Sequence, residues 1–96
     1  MHSELAIEDE IRAFLGRNFP LAAGGSVDSE QSLVESGVID SLGVLEVVGH
    51  IEEHYGLRIP EDELLPENFD SISNMTRYIS SKLERDRPGA SEASPA

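Results

Sequence analysis

Leu33-Val34-Glu35-Ser36-Gly37-Val38-Ile39-Asp40-Ser41-Leu42 divides the chain into what precedes a helix and what that helix organises. Leu33, Val38 and Ile39 are apolar and expected to dock on a core. Gly37 marks a tight turn or a left-handed position. Asp40 or Ser41 then starts a helix, because short polar side chains accept hydrogen bonds from the free N–H groups of a first turn. The helix is predicted to run to about Tyr55, with Gly56 as its stop. At 100° per residue, with Ser41 at zero, Val44, Val47, Val48, Ile51 and Tyr55 fall between about 240° and 340°. That is the predicted core face. Leu42, Glu46, Gly49, His50 and Glu53 fall on the opposite side. An exposed Leu beside an exposed Ser, among carboxylates, is expected to be a contact surface, although a single surface Leu is common.

Working outward, Ser3 to Phe19 reads as the first helix. Leu5, Ile7, Ile11, Phe14 and Leu15 form one apolar stripe. Glu4, Glu8, Asp9 and Glu10 come early and Arg12 and Arg17 late, which suits the helix dipole. Asn18 and Pro20 end it. Leu21 to Ile39 is a connection of about twenty residues, unusually long for a compact domain. Ala22-Ala23-Gly24-Gly25-Ser26 is its expected mobile part. Leu57 to Phe69 is a second connector, acidic at Glu61, Asp62, Glu63 and Glu67. Leu64, Leu65 and Phe69 are expected to pin it, and Pro66 opens one short helical turn through Phe69. Asp70 or Ser71 caps the last helix, which reaches about Leu83 on an apolar stripe of Ile72, Met75, Tyr78, Ile79 and Leu83. No segment alternates at period two. The predicted fold class is all-α, a four-helix bundle with three longer helices, a short third helix and a long first loop. It occupies residues 1–83. Residues 84–96, charged and then rich in Ser, Ala, Pro and Gly, are an expected disordered tail.

Composition bounds the function. Ninety-six residues, 39% of them hydrophobic, make one small domain with a thin stability margin. With no Cys, disulfides, thiolate metal sites and a Cys nucleophile are excluded. Nineteen acids against seven bases give a formal charge of −12. Such a surface repels nucleic acid and anionic membranes and favours partners with basic patches. No apolar run approaches membrane-spanning length, and the first residues lack a signal peptide's basic and apolar regions. A cytoplasmic monomer is the expectation.

Ser41 at a helix start lies in the field of unpaired N–H groups, a natural place for a phosphate ester. A lone Asp-Ser pair there is also an ordinary cap. His50-Ile51-Glu52-Glu53-His54 has the spacing of an inverted zinc-peptidase helix motif. On so short a chain it reads as a pair of surface histidines, with no metal expected. A Ser-His-Asp hydrolase is unsupported. Ser41 lacks a Gly-x-Ser-x-Gly elbow, and His50 lies about 180° round the helix and more than two turns away. No catalytic residue is predicted.

The stretch from Leu33 to Leu42 resembles the attachment motif of the acyl and peptidyl carrier proteins. The resemblance continues through Glu46, Glu52-Glu53, Tyr55-Gly56, Ile59-Pro60 and the last helix, about residues 4 to 83. It implies that a separate phosphopantetheinyl transferase, which supplies Mg²⁺ and base, attaches 4′-phosphopantetheine from coenzyme A to Ser41. Asp40 would assist that encounter. The arm's thiol would carry acyl, aminoacyl or peptidyl groups as thioesters between enzymes of fatty-acid, polyketide or nonribosomal-peptide type, and the chain would catalyse nothing. The implied partners are that transferase, an acyl- or aminoacyl-loading enzyme, and synthase or tailoring enzymes with basic patches. Leu42 would be the apolar anchor of the recognition face, with Glu46, Gly49, Glu52 and Glu53 around it. Gly43 and Gly49 depart from fatty-acid carriers on what is expected to be the partner-facing surface, and the segment from Ile59 to Ile72 looks more like a stand-alone carrier of a specialised pathway. The alternative is an acidic helical module that binds a basic partner and is never modified.

Overall fold

Helix α1 spans Glu4–Asn18, and it begins where the Ser3 hydroxyl accepts a hydrogen bond from the Ala6 N–H at 3.1 Å. This is a computed structural model, and it describes residues 3–22 and 27–86. Phe19 leaves the helix in an extended conformation, and Pro20–Ala22 make one 3-10 turn. Helix α2 is Ser41–Tyr55, closed by Gly56 at φ 66°, a left-handed conformation that costs a residue without Cβ little. Pro66–Phe69 form the short α3, with Pro in the first turn where its missing N–H is harmless. Helix α4 is Ile72–Asp86.

Ile7, Ile11 and Leu15 of α1, Val47, Val48 and Ile51 of α2, Phe69, and Ile72, Met75 and Ile79 of α4 share one core. Helices α1 and α3 both pack on α4. Burying these side chains is the main favourable term for a chain this small, at about 1.5–3 kcal/mol for each large one. The described helices and turns are all-α, with three long helices and one short one, as the sequence predicts.

The long first connection is tied down at both ends. Arg12 of α1 donates to the Val27 carbonyl, to Ser29 Oγ at 2.7 Å and to Glu8 at 3.1 Å. Ser29 donates to the same Glu8 carboxylate at 2.6 Å. These contacts, Ser29 foremost and then Arg12, hold the Glu8 carboxyl below its usual pKa. Further on, the Leu33 N–H donates to the Asp70 carbonyl at 2.7 Å and the Ser73 N–H to the Ser29 carbonyl at 2.9 Å. Leu33, Val38 and Ile39 are buried as expected, and Gly37 takes φ 81°.

Some expectations change. Leu5 is exposed, because it lies about 80–160° round α1 from the buried Ile7, Ile11 and Leu15. Ala22, expected in the mobile stretch, is buried in the 3-10 turn; residues 23–26 lie outside the described residues. Leu65 is exposed, so Leu64 and Phe69 anchor the second connector. Of the two candidate caps for α4, Ser71 accepts the Asn74 N–H at 3.0 Å, while the Asp70 carboxylate turns back to the Val34 N–H. Helix α4 continues to Asp86, past the predicted end of the domain, and residues 87–96 of the expected tail lie outside the described residues.

Candidate functional site

Asp40 ends the loop in an extended conformation, and its Oδ1 accepts the Gly43 N–H at 2.7 Å. Its own carbonyl accepts the Val44 N–H at 3.0 Å, the first rung of α2. The cap therefore belongs to Asp40, and Ser41 becomes the first helical residue. Ser41 is exposed. Its hydroxyl stands in the positive end of the α2 dipole, beside first-turn N–H groups that no preceding turn can satisfy. The position suits an oxygen esterified to phosphate.

Ser41 borders two hollows. One, of about 380 Å³, runs between α2 and α3 over Val44, Leu64, Leu65 and Phe69. Its walls are mostly apolar. The other, of about 510 Å³, lies over Phe19, Val38, Ile39 and Glu46. A long, flexible group leaving Ser41 has an apolar floor within reach on the α3 side.

Leu42 is 70% exposed, and Glu46, Gly49 and Glu53 are exposed along the same side of α2. Leu45, 56% exposed, joins them. The sequence reading passed over Leu45, although the same helical wheel places it at about 40°, between Ser41 and Leu42. Three further residues, Glu52, His50 and Gly43, sit differently from expectation. Glu52 is half-buried and accepts the Ile59 N–H at 2.8 Å, so its carboxylate holds the connector after α2. His50 lies under α1, stacked on Phe14 at 3.9 Å between ring centroids, with Nε2 2.8 Å from Glu10. His54 keeps more solvent contact on that same flank. Gly43 is buried, and a Cβ there would stand 2.9 Å from Phe19 Cε1 and 3.1 Å from Ile39 Cβ. Gly43 thus belongs to the packing of the loop on α2 and not to the partner-facing surface. A Cβ at Gly49 would meet nothing within 4 Å.

Among the described residues no helix is long and apolar enough to cross a membrane. A family model described as "Phosphopantetheine attachment site" matches residues 6–79. The "Meromycolate extension acyl carrier protein" of Mycobacterium leprae is 34% identical over 67 residues, which is 70% of this chain and 56% of that protein. This chain thus spans little more than half the length of that relative. The "Aminoacyl carrier protein 2" of Bradyrhizobium diazoefficiens is 34% identical over 73 residues, 76% of this chain and 78% of that protein. A solved structure described as "Crystal structure of FAD-dependent dehydrogenase" contains a similar chain. It superimposes with a TM-score of 0.62 at 30% identity, over 72% of this chain and 97% of that one.

Proposed function

The chain belongs to the acyl and peptidyl carrier protein family, a family of non-catalytic carriers whose covalent cofactor is 4′-phosphopantetheine; from that premise we propose that Ser41 is the attachment residue. The supporting observation is the exposed Ser41 hydroxyl on the first residue of α2, with Asp40 fixing the helix start and open hollows beside it. When attached, the group supplies the thiol that holds acyl or aminoacyl cargo as a thioester. The chain's own residues present it. Asp40 sets the direction of Ser41, and the cleft over Val44, Leu64 and Phe69 offers shelter to an apolar cargo. Leu42, Leu45, Glu46 and Glu53 form the docking face for the transferase, the loading enzyme and downstream synthase or tailoring enzymes. The proposed setting is the cytoplasm, and the proposed cargo route is of the fatty-acid, polyketide or nonribosomal-peptide type.

One class of client has specific support. The chain matched in the dehydrogenase structure is covered almost end to end by this fold, so it is itself carrier-sized. A flavin-dependent dehydrogenase acting on tethered cargo is therefore a client worth testing beside the loading enzyme.

The deciding experiment is mass spectrometry after incubation with coenzyme A and a broad-specificity phosphopantetheinyl transferase. The wild-type chain should gain one phosphopantetheine. Ser41→Ala should gain none while keeping its helical circular dichroism. An unmodified wild-type mass, under conditions that load a control carrier, would favour the inert acidic module instead.

A further inference from the structure

The flank of α2 that faces α1 carries a side-chain cluster that the carrier function leaves unused. His50 and His54 are four residues apart, so both imidazoles leave the helix on one side. Glu10 reaches across from α1, with Oε2 2.8 Å from His50 Nε2 and 3.9 Å from His54 Nδ1. One donor atom from each of the three lies within 4.8 Å of the other two. Their neighbours hold them in place. His50 stacks on Phe14, and His54 meets Tyr55 edge to face with centroids 4.7 Å apart. The second oxygen of Glu10 accepts the Tyr55 hydroxyl at 3.4 Å, the kind of outer contact that orients a carboxylate ligand. Among the described residues, the ion pairs of Glu10 are with these two histidines and with no Lys or Arg.

We propose that Glu10, His50 and His54 form a site for a zinc-class divalent transition cation, with its remaining position open to water. Two imidazoles and one carboxylate are a zinc donor set. Bonds of about 2.0–2.2 Å at tetrahedral angles place donors about 3.4 Å apart. The two separations from Glu10, 2.8 and 3.9 Å, straddle that value, and side-chain rotation has to bring the two imidazole nitrogens, now within 4.8 Å of each other, to the same spacing. Nitrogen donors select zinc and its neighbours over Mg²⁺ and Ca²⁺, which prefer oxygen. On binding, the lone pairs of His50 Nε2 and His54 Nδ1 turn to the cation. Any proton on those atoms moves to the other ring nitrogen or leaves to solvent. The site joins α1 to α2, and His54 is about 20 Å along the helix axis from Ser41 at 1.5 Å per residue. The cation would staple the two helices without touching the attachment hydroxyl.

The test uses the full chain, stripped with a chelator, at fixed ionic strength and with millimolar Mg²⁺ present to occupy the acidic surface. Zinc chloride should raise the melting temperature by at least about 5 °C, saturate at one equivalent and be reversed by EDTA. Cobalt(II) should give the visible bands of a nitrogen-ligated four-coordinate ion. Glu10→Gln and His54→Gln should each lose both signals, keep the parent's helical circular dichroism and still accept phosphopantetheine. Absence of both the thermal shift and the cobalt bands from the wild-type chain would overturn the site. So would undiminished signals in both variants, which would put the metal elsewhere. Should His54→Gln fail to fold, Glu10→Gln alone decides, because its amide keeps the size of the carboxylate and α1 need not repack.

Discussion

Gly43 lies where Phe19 and Ile39 close over the first turn of α2, whereas Gly49, two turns on, looks into open space. The same substitution should therefore act in opposite directions. Alanine gains about 1 kcal/mol over glycine in a helix interior at either position. At Gly43 the new methyl would press on the Phe19 ring and on Ile39 Cβ, and Ile39 Cβ is too near the backbone to swing away. Overpacking of that kind costs about 1–3 kcal/mol, so Gly43→Ala should lose up to about 2 kcal/mol net. Gly49→Ala should gain up to about 1 kcal/mol. For a domain of this size each kcal/mol moves the melting temperature by about 4–8 °C, so thermal melts separate the two readily. If both variants melt higher, the loop is not packed on α2 as described.

Helix α2 divides into three faces: a core face, an outer face and a flank under α1. Wheel positions alone separate the first two, and they place Leu42, Glu46, Gly49 and Glu53 correctly on the solvent side. The flank was not legible, because it depends on where α1 crosses. Gly43, His50 and His54 share it at about 180–220°, and only the crossing of Phe19, Phe14 and Glu10 buries or engages them. Glu52 was misplaced for a related reason. A carboxylate on an acidic helix looks like surface charge until the connector folds back and brings the Ile59 N–H to it. The local signals, by contrast, were all short-range: the Asp40 cap, the Gly56 stop, the Gly37 turn and the Pro66 start. The resulting prediction belongs to the outer face. Reversing Glu46 and Glu53 together to Lys should slow modification by the transferase roughly tenfold at low salt, since steering charges act mainly on encounter. Raising the ionic strength to about 0.15 M should narrow the gap, as screening shortens the reach of charge to about 8 Å. Far-ultraviolet circular dichroism should not change. Glu52 is left in place because its loss would loosen the connector and confuse the readout. Equal rates for the two proteins at low salt would remove the electrostatic part of the docking face.

Across the whole molecule, a charge of −12 on 96 residues sets self-repulsion against a small core, and three groups decide how stability responds to pH. Glu8 is held below its usual pKa by Ser29 and then Arg12, and Glu63 by the Tyr78 hydroxyl first and Lys82 after it. A depressed carboxyl contributes stability that is present above its unfolded value, about 4.3, and is lost as pH falls through the folded value. Both side chains are about a third exposed, at 32% and 31%, so solvent screening keeps each contribution small. The net negative charge falls as the pH drops, which weakens that self-repulsion. Moderate acidification should therefore raise the urea midpoint before further acidification, below about pH 4, lowers it. Tyr55 governs the opposite limb. Burial first, and then the Glu10 carboxylate, push its hydroxyl well above the ordinary value. A raised pKa contributes stability that is complete below the unfolded value, about 10, and is lost as pH climbs towards the folded one. Stability should accordingly fall above about pH 10, and Tyr55→Phe should flatten that fall while leaving the acid limb unchanged. Urea midpoints taken from pH 3 to pH 11 on both proteins make the comparison. An alkaline limb that is as steep in Tyr55→Phe as in the parent would mean that ionisation of Tyr55, held back by burial and then by Glu10, is not what destabilises the protein at high pH.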